Sequence, residues 1–147
     1  MTRIEFLTSK ESIAAKFHEV RPFFERMTHT AMHGEFSVDD MLKRATDGQA
    51  LIGIIREGAT PVMGLAVEFI NFPKYRAMNI VALAGTGLAA AMRDVWPLLT
   101  EFARQSGARY VQASCHPGMA RLLSRYGFEE TYRVVRAPLY PPQPLSD

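Results

Sequence analysis

A chain of 147 residues is long enough to bury one hydrophobic core without disulfides or a structural metal. A formal charge of +2, spread over interspersed basic and acidic residues, excludes the strong positive stripe of a nucleic-acid or membrane-surface binder. A single cysteine, Cys115, excludes an internal disulfide framework and any CxxC site, and no apolar run approaches the ~20 residues that cross a bilayer.

The N-terminal segment places charge where a signal peptide would be apolar, so an intracellular protein is expected. Arg3 to Leu7 alternates polar and apolar residues and predicts a short first strand. Thr8 and Glu11 stand at capping-box spacing before a helix whose Ile13, Phe17, Val20, Phe24 and Met27 recur on one face. Pro22 lies inside that pattern and predicts a kink or a restart. Ser37 and Asp40 repeat the capping signal, with Phe36 and Met41 placed as a hydrophobic staple, and predict a second helix through about Ala45, ended near Gly48.

The centre reads as a meander of strands at Ala50 to Ile55, Val62 to Phe72 and Arg76 to Ala84, separated by turns at Glu57–Thr60 and Pro73–Tyr75. A helical segment follows to about Gln105, with Trp96, Leu99, Phe102 and Ala103 on one face and Gly107 as its left-handed stop. Two starts are compatible with the residues. Asp94 makes a good N-cap with Pro97 in the first turn, whereas a start near Leu88 places Pro97 mid-helix at a cost of ~3 kcal/mol. Tyr110 to Cys115 reads as a strand, with Cys115 a small buried side chain at its end. Met119 to Tyr126 reads as a helix with a glycine stop at Gly127, and Thr131 to Arg136 as a last strand. The proline-rich residues 138–147 cannot continue a sheet and form an extended arm after a single domain at 1–137. A mixed, mostly antiparallel sheet with helices on both faces, a three-layer α/β/α sandwich, is the expected architecture.

This element order, ending in Ala120-x-Leu122 and Gly127-Phe128, resembles the GNAT superfamily of N-acetyltransferases. The turn Phe72-Pro73-Lys74-Tyr75-Arg76, the loop Leu83-Ala84-Gly85-Thr86-Gly87-Leu88 and the helix start Pro117-Gly118-Met119-Ala120-Arg121 are similar to a group of phage- and prophage-encoded GNAT-like proteins. The superfamily resemblance implies an acetyl-CoA site in an opening between the fourth and fifth strands. Leu83, Gly85, Thr86, Gly87 and Leu88 would then lie at the pyrophosphate, where free backbone amides at a helix start favour an anion. The position at which the family carries Gln or Arg holds Val81 or Ala82. The position of the family's proton-donating tyrosine holds Leu123, and that of its asparagine holds Pro117. Tyr126, three residues further along, is the candidate substitute, or else packs beside Phe128.

Glu68, within Leu65-Ala66-Val67-Glu68-Phe69, is the best general base for an amine; alternation also lets it face solvent on an edge strand. His29 and His33 stand at i, i+4 without acidic or cysteine partners, so no metal is expected. Cys115 and His116, adjacent on a strand, point to opposite faces and form no dyad.

Two functions are compatible with these residues. The phage-type resemblance and the replaced polar positions imply a non-catalytic virion or virion-assembly component that binds no acetyl-CoA tightly. Its protein partners would be internal or tail components, met through the arm 138–147, and its place the bacterial host cytoplasm or the virion. The alternative is an acetyl-CoA-dependent N-acetyltransferase acting on an amine, with Glu68 as base.

Overall fold

The computed structural model describes residues 1–31, 37–115 and 117–140, and of residues 28–31, 88–90 and 117 the backbone alone. Strand β1 (Thr2–Leu7) leads into helix α1 (Lys10–Lys16) through a hydroxyl cap. Ser9 accepts from the Ser12 amide and Ser12 Oγ accepts from the Ser9 amide, each at 3.0 Å. The capping box thus sits one residue beyond the expected Thr8–Glu11 pair. The chain passes through a 3₁₀ turn at Phe17–Glu19 and restarts as α2 (Arg21–Ala31), with Pro22 in the first turn, where its missing donor costs least. Helix α3 (Val38–Thr46) is capped as expected: Ser37 accepts from the Asp40 amide at 3.0 Å and the Asp40 carboxylate accepts from the Ser37 amide at 2.9 Å. The Ser37 donors hold the Asp40 carboxyl below its ordinary value. The staple residue Phe36 lies outside the described residues.

Strands β2 (Leu51–Glu57), β3 (Thr60–Asn71) and β4 (Arg76–Gly85) form the meander, α4 (Leu88–Gln105) crosses over, and β5 (Tyr110–Ala113) and α5 (Pro117–Ser124) follow. The sheet order is β1-β2-β3-β4-β5, antiparallel except for the parallel β4–β5 pair. The chain groups into two compact units, Met1–Ser114 and Cys115–Asp147.

In the first unit, alternate residues of the strands feed two apolar layers. Leu7, Ile52, Ile54, Ala66, Ala82 and Ala84 pack with Ile13, Phe17, Val20, Phe24, Met41 and Ala45 of the first three helices and the 3₁₀ turn. On the opposite face Ile55, Met63, Leu65, Val67, Met78 and Ile80 pack with Val95, Leu99 and Ala103 of α4. Phe6 of β1 stacks on Phe102 of α4 with ring centroids 4.0 Å apart. This is the expected three-layer α/β/α sandwich with a mixed sheet.

Beside the first apolar layer lies a buried charge network. Arg56 is 5% exposed and makes four hydrogen bonds: one to Glu5 at 2.9 Å, two to Glu19 at 2.9 and 3.1 Å, and one to the Ala59 carbonyl at 3.2 Å. Lys16 completes the pairing of Glu5. Hydrogen bonds from Lys16 and Arg56 hold the Glu5 carboxyl below its ordinary value, and those from Arg56 do the same for Glu19, in both cases against the opposing effect of burial.

The expected last strand, Thr131 to Arg136, is not formed. These residues have no regular structure in the described chain, and Tyr132, Val134 and Val135 are exposed. Their β-branched and aromatic character suits a strand, but a strand exists only where a ladder partner satisfies its backbone. Leu139 and Tyr140 of the arm are also exposed, and residues 141–147 lie outside the described chain. Among the described residues no helix is long and apolar enough to cross a membrane.

Candidate functional site

The β4–β5 ladder pairs Ala77 through Ile80 with Tyr110 through Ala113 and ends there, while β4 runs on to Gly85. At the same point the β3–β4 register shifts: Ala66 pairs with Ala82 and Val67 with Ile80, leaving Val81 as an extra residue. Such a bulge bends its strand and raises its twist. Beyond Ile80, β4 is therefore paired to β3, and among the described residues its other edge has no ladder partner.

That edge leads into the glycine loop. An added Cβ at Gly85 would come within 2.5 Å of the Val62 carbonyl oxygen and of Met63 Cγ, so β3 approaches too closely for any side chain. Gly87 is the N-cap of α4 and takes a left-handed φ of +67°, which costs a non-glycine residue about 1–2 kcal/mol. The helix thus begins at Leu88, and the alternative start capped by Asp94 is not adopted. Pro97 lies inside the helix and no acidic residue stands in its first turn. The first amides of a helix have no intrahelical acceptor. With glycine before them and no acidic residue in their own turn, they suit an anion. Gly85, Thr86 and Gly87 are exposed; Leu83 turns its side chain into the α4-side core and offers only backbone to the opening. Of Leu88, the backbone alone is described.

Glu68 stands opposite Asn79, one residue before the end of the β4–β5 ladder. It lies on the central strand β3, not on an edge, and its side chain is 25% exposed. Each carboxylate oxygen has a donor: Arg44 Nη2 of α3 donates to Oε2 at 2.7 Å, and Asn79 Nδ2 to Oε1 at 3.0 Å. A carboxylate has about four lone-pair sites, so capacity for a further proton remains. Around it opens a cleft of about 920 Å³, walled by the end of β1, the start of α1, the end of α3 and the last residues of β3. Its size matches small-molecule sites.

Tyr126 belongs to the second unit, in the turn after α5, where its amide donates to the Leu123 carbonyl at 2.9 Å; its side chain is half-buried. Leu123 is buried. Gly127, at φ +88°, stops the helix as expected, and the Phe128 amide returns to the Leu123 carbonyl at 3.4 Å. Cys115 is exposed, not buried, because β5 ends at Ala113 and leaves it outside the sheet. Local loss of water around the sulfur, followed by the Glu130 carboxylate, pushes its thiol up, which disfavours the nucleophilic thiolate. His33 and His116 lie outside the described residues, and the His29 side chain is not described. Among the described residues no three His, Cys, Asp or Glu side chains gather to hold a metal. Arg44 and Asn79 are the site residues that sequence reasoning missed. Neither lies in a motif, and only the pairing of strands and the docking of α3 bring them to Glu68.

No family model matches the chain, and no curated protein matches it. Solved structures do. A predicted acetyltransferase with acetyl-CoA from Clostridium acetobutylicum aligns at a TM-score of 0.62 and 15% identity over 95% of this chain and 97% of that one. The fold is that of the GNAT acetyltransferases. An aminoglycoside acetyltransferase from an uncultured soil metagenomic sample, in complex with sisomicin, aligns at 0.67 and 15% identity, covering 95% of this chain and 97% of its own. A GCN5-related N-acetyltransferase from Ralstonia eutropha aligns at 0.59 and 16% identity, covering 94% and 99%. The GNAT fold is thus carried here at very low sequence identity.

Proposed function

We propose that the chain is an acetyl-CoA-dependent N-acetyltransferase acting on a small amine. The observation that carries this reading is the placement of Glu68 one residue from the point where β4 and β5 part, beside a cleft of small-molecule size. The side-chain-free loop at Gly85 and Gly87 and the acid-free start of α4 fit a pyrophosphate. The free edge of β4 from Val81 to Gly85 offers backbone donors and acceptors to an amide-bearing arm.

Acetyl-CoA supplies the acetyl group on a thiol of acidity near that of cysteine, about 8.5, a leaving group that needs no strong acid to depart. Glu68 accepts the proton that the attacking amine must lose, and the cleft holds that amine with its lone pair toward the opening. Leu123 provides no proton donor, so solvent serves in that role.

The expectation of a non-catalytic virion component drew on the replaced polar positions and on a phage-type resemblance. The likeness to acetyltransferases supports the catalytic reading instead, and the start of α4 at Leu88 removes the Asp94 carboxylate that would have repelled a phosphate. Calorimetric titration with acetyl-CoA should give micromolar affinity, and thiol release with an amine panel should follow. Glu68→Gln should lower the turnover by roughly 10²–10⁴-fold with the fold intact. A titration without heat would overturn the reading.

A further inference from the structure

We infer that Arg44 both positions Glu68 and restricts the acceptor to singly charged amines, excluding polycations; the inference rests on the acetyltransferase reading of this cleft. Among the described residues lining the cleft, Glu68 is the one carboxylate, and Lys10, Arg44 and Arg76 are the cations. Glu68 carries the Arg44 guanidinium at 2.7 Å. Arg76 turns to the α4 face, where its Nη1 donates to the Ser106 carbonyl at 2.8 Å and its guanidinium carbon lies 4.1 Å from the Phe69 ring centroid. Lys10 stands exposed at the start of α1, and among the described residues no carboxylate pairs with it.

The charge around Glu68 therefore comes to one carboxylate paired by Arg44, with the Lys10 ammonium in excess. The remaining wall is apolar or hydroxylated: Leu7, Ile13, Ala45 and Ile70 with Thr8 and Ser9. One amine can deliver its proton to Glu68. Among the described lining residues, a second or third ammonium on the same acceptor finds no further carboxylate and faces Lys10 and Arg44 instead. Selectivity of this kind comes from an unfavourable contact built against the wrong partner. The acceptor that fits is a monoamine with an apolar, hydroxylated or anionic body.

Arg44 also acts on the base. Its donor and that of Asn79 fix both carboxylate oxygens, from α3 and β4 respectively, which sets the direction in which a proton is received. It touches Glu68 and not the reacting atoms, so it is a positioning residue.

The test uses the full chain and compares a monoamine, hexylamine, with a triamine, spermidine, in wild type, Arg44→Gln and Arg44→Lys. Acetyl transfer should favour hexylamine in kcat/KM by roughly tenfold or more in wild type. Arg44→Gln should narrow that ratio severalfold, and Arg44→Lys should restore it. Binding of the two amines, followed by NMR at the Asn79 side-chain amide, gives the same comparison without turnover. If acetyl-CoA fails to bind while the monoamine preference and its dependence on Arg44 persist, the acetyltransferase reading falls and the charge selectivity stands. A wild type that prefers spermidine, or an Arg44→Gln variant with unchanged selectivity, overturns the inference.

Discussion

Replacing Arg56 by methionine tests whether the buried charge network organises the first unit. Methionine fills much of the same volume but removes four hydrogen bonds and the cation between two carboxylates. Breaking a buried ion pair from one side costs about 3–5 kcal/mol, because the surviving charges stay buried and uncompensated. The Glu5 and Glu19 side chains are each 24% exposed and Lys16 still reaches Glu5, so the low end of that range applies, about 3 kcal/mol. With a urea slope of about 2 kcal/mol/M, the unfolding midpoint falls by roughly 1.5 M, read from the fluorescence of the single Trp96.

The pH dependence gives an independent check. Both carboxyls are held below the ordinary 4.5, so their contribution is fully present above that pH and is lost as pH falls through the depressed folded values. The variant lacks most of this contribution. The stability difference between wild type and variant therefore shrinks as the pH drops below about 4.5. The triple replacement Glu5→Gln, Glu19→Gln, Arg56→Met, which leaves no stranded charge, should be more stable than Arg56→Met alone. A loss under about 1 kcal/mol at pH 7, or a difference that does not change with pH, would refute the argument.

Gly85→Ala should lower stability by roughly 1–3 kcal/mol in thermal unfolding, since the added Cβ meets β3 backbone that cannot swing aside. Gly87→Ala has open space around it, so its loss should come from the left-handed backbone alone, about 1–2 kcal/mol, with Gly87→Asn costing less. Pro97→Ala should raise stability by roughly 2 kcal/mol, the interior-proline penalty less the entropy that proline removes from the unfolded chain; an unchanged melting temperature would mean that α4 has already absorbed the strain.

The layered architecture was legible because it follows from periodicity and punctuation. Ser37 with Asp40, the restart at Pro22 and the stops at Gly48, Gly107 and Gly127 all act within one turn of the chain. Where local signals tied, tertiary burial decided. Thr8–Glu11 and Ser9–Ser12 have the same spacing, and the second pair caps α1. The start of α4 was a similar contest. A helix beginning at Asp94 avoids the ~3 kcal/mol of Pro97 but leaves Met92 outside the helix, and Met92 is fully buried alongside Val95. Burying side chains of this size contributes about 1.5–3 kcal/mol each, enough with the added helical hydrogen bonds to override the proline. The absent last strand is the converse case: Tyr132, Val134 and Val135 have the propensity, and no sequence pattern says whether an edge is there to receive them.

The site divides along the same line. Gly85 and Gly87 were readable as a flexible loop, but what makes them necessary, the Val62 carbonyl at 2.5 Å and a left-handed N-cap, exists only once β3 and α4 are in place. Glu68 was readable as a carboxylate among apolar neighbours, with a solvent-facing place on an edge strand the favoured alternative to a base. Its place on the central strand removes the edge reading. A carboxylate on a central strand, held by Asn79 from the next strand and by Arg44 from a helix 24 residues away, has a fixed direction and lone-pair capacity left for a proton. Leu123 and Pro117 stand where the resemblance implies a proton donor and an amide, and both belong to the second unit. Glu68, Arg44 and Asn79 all belong to the first, so their variants test the proposed base independently of those two positions.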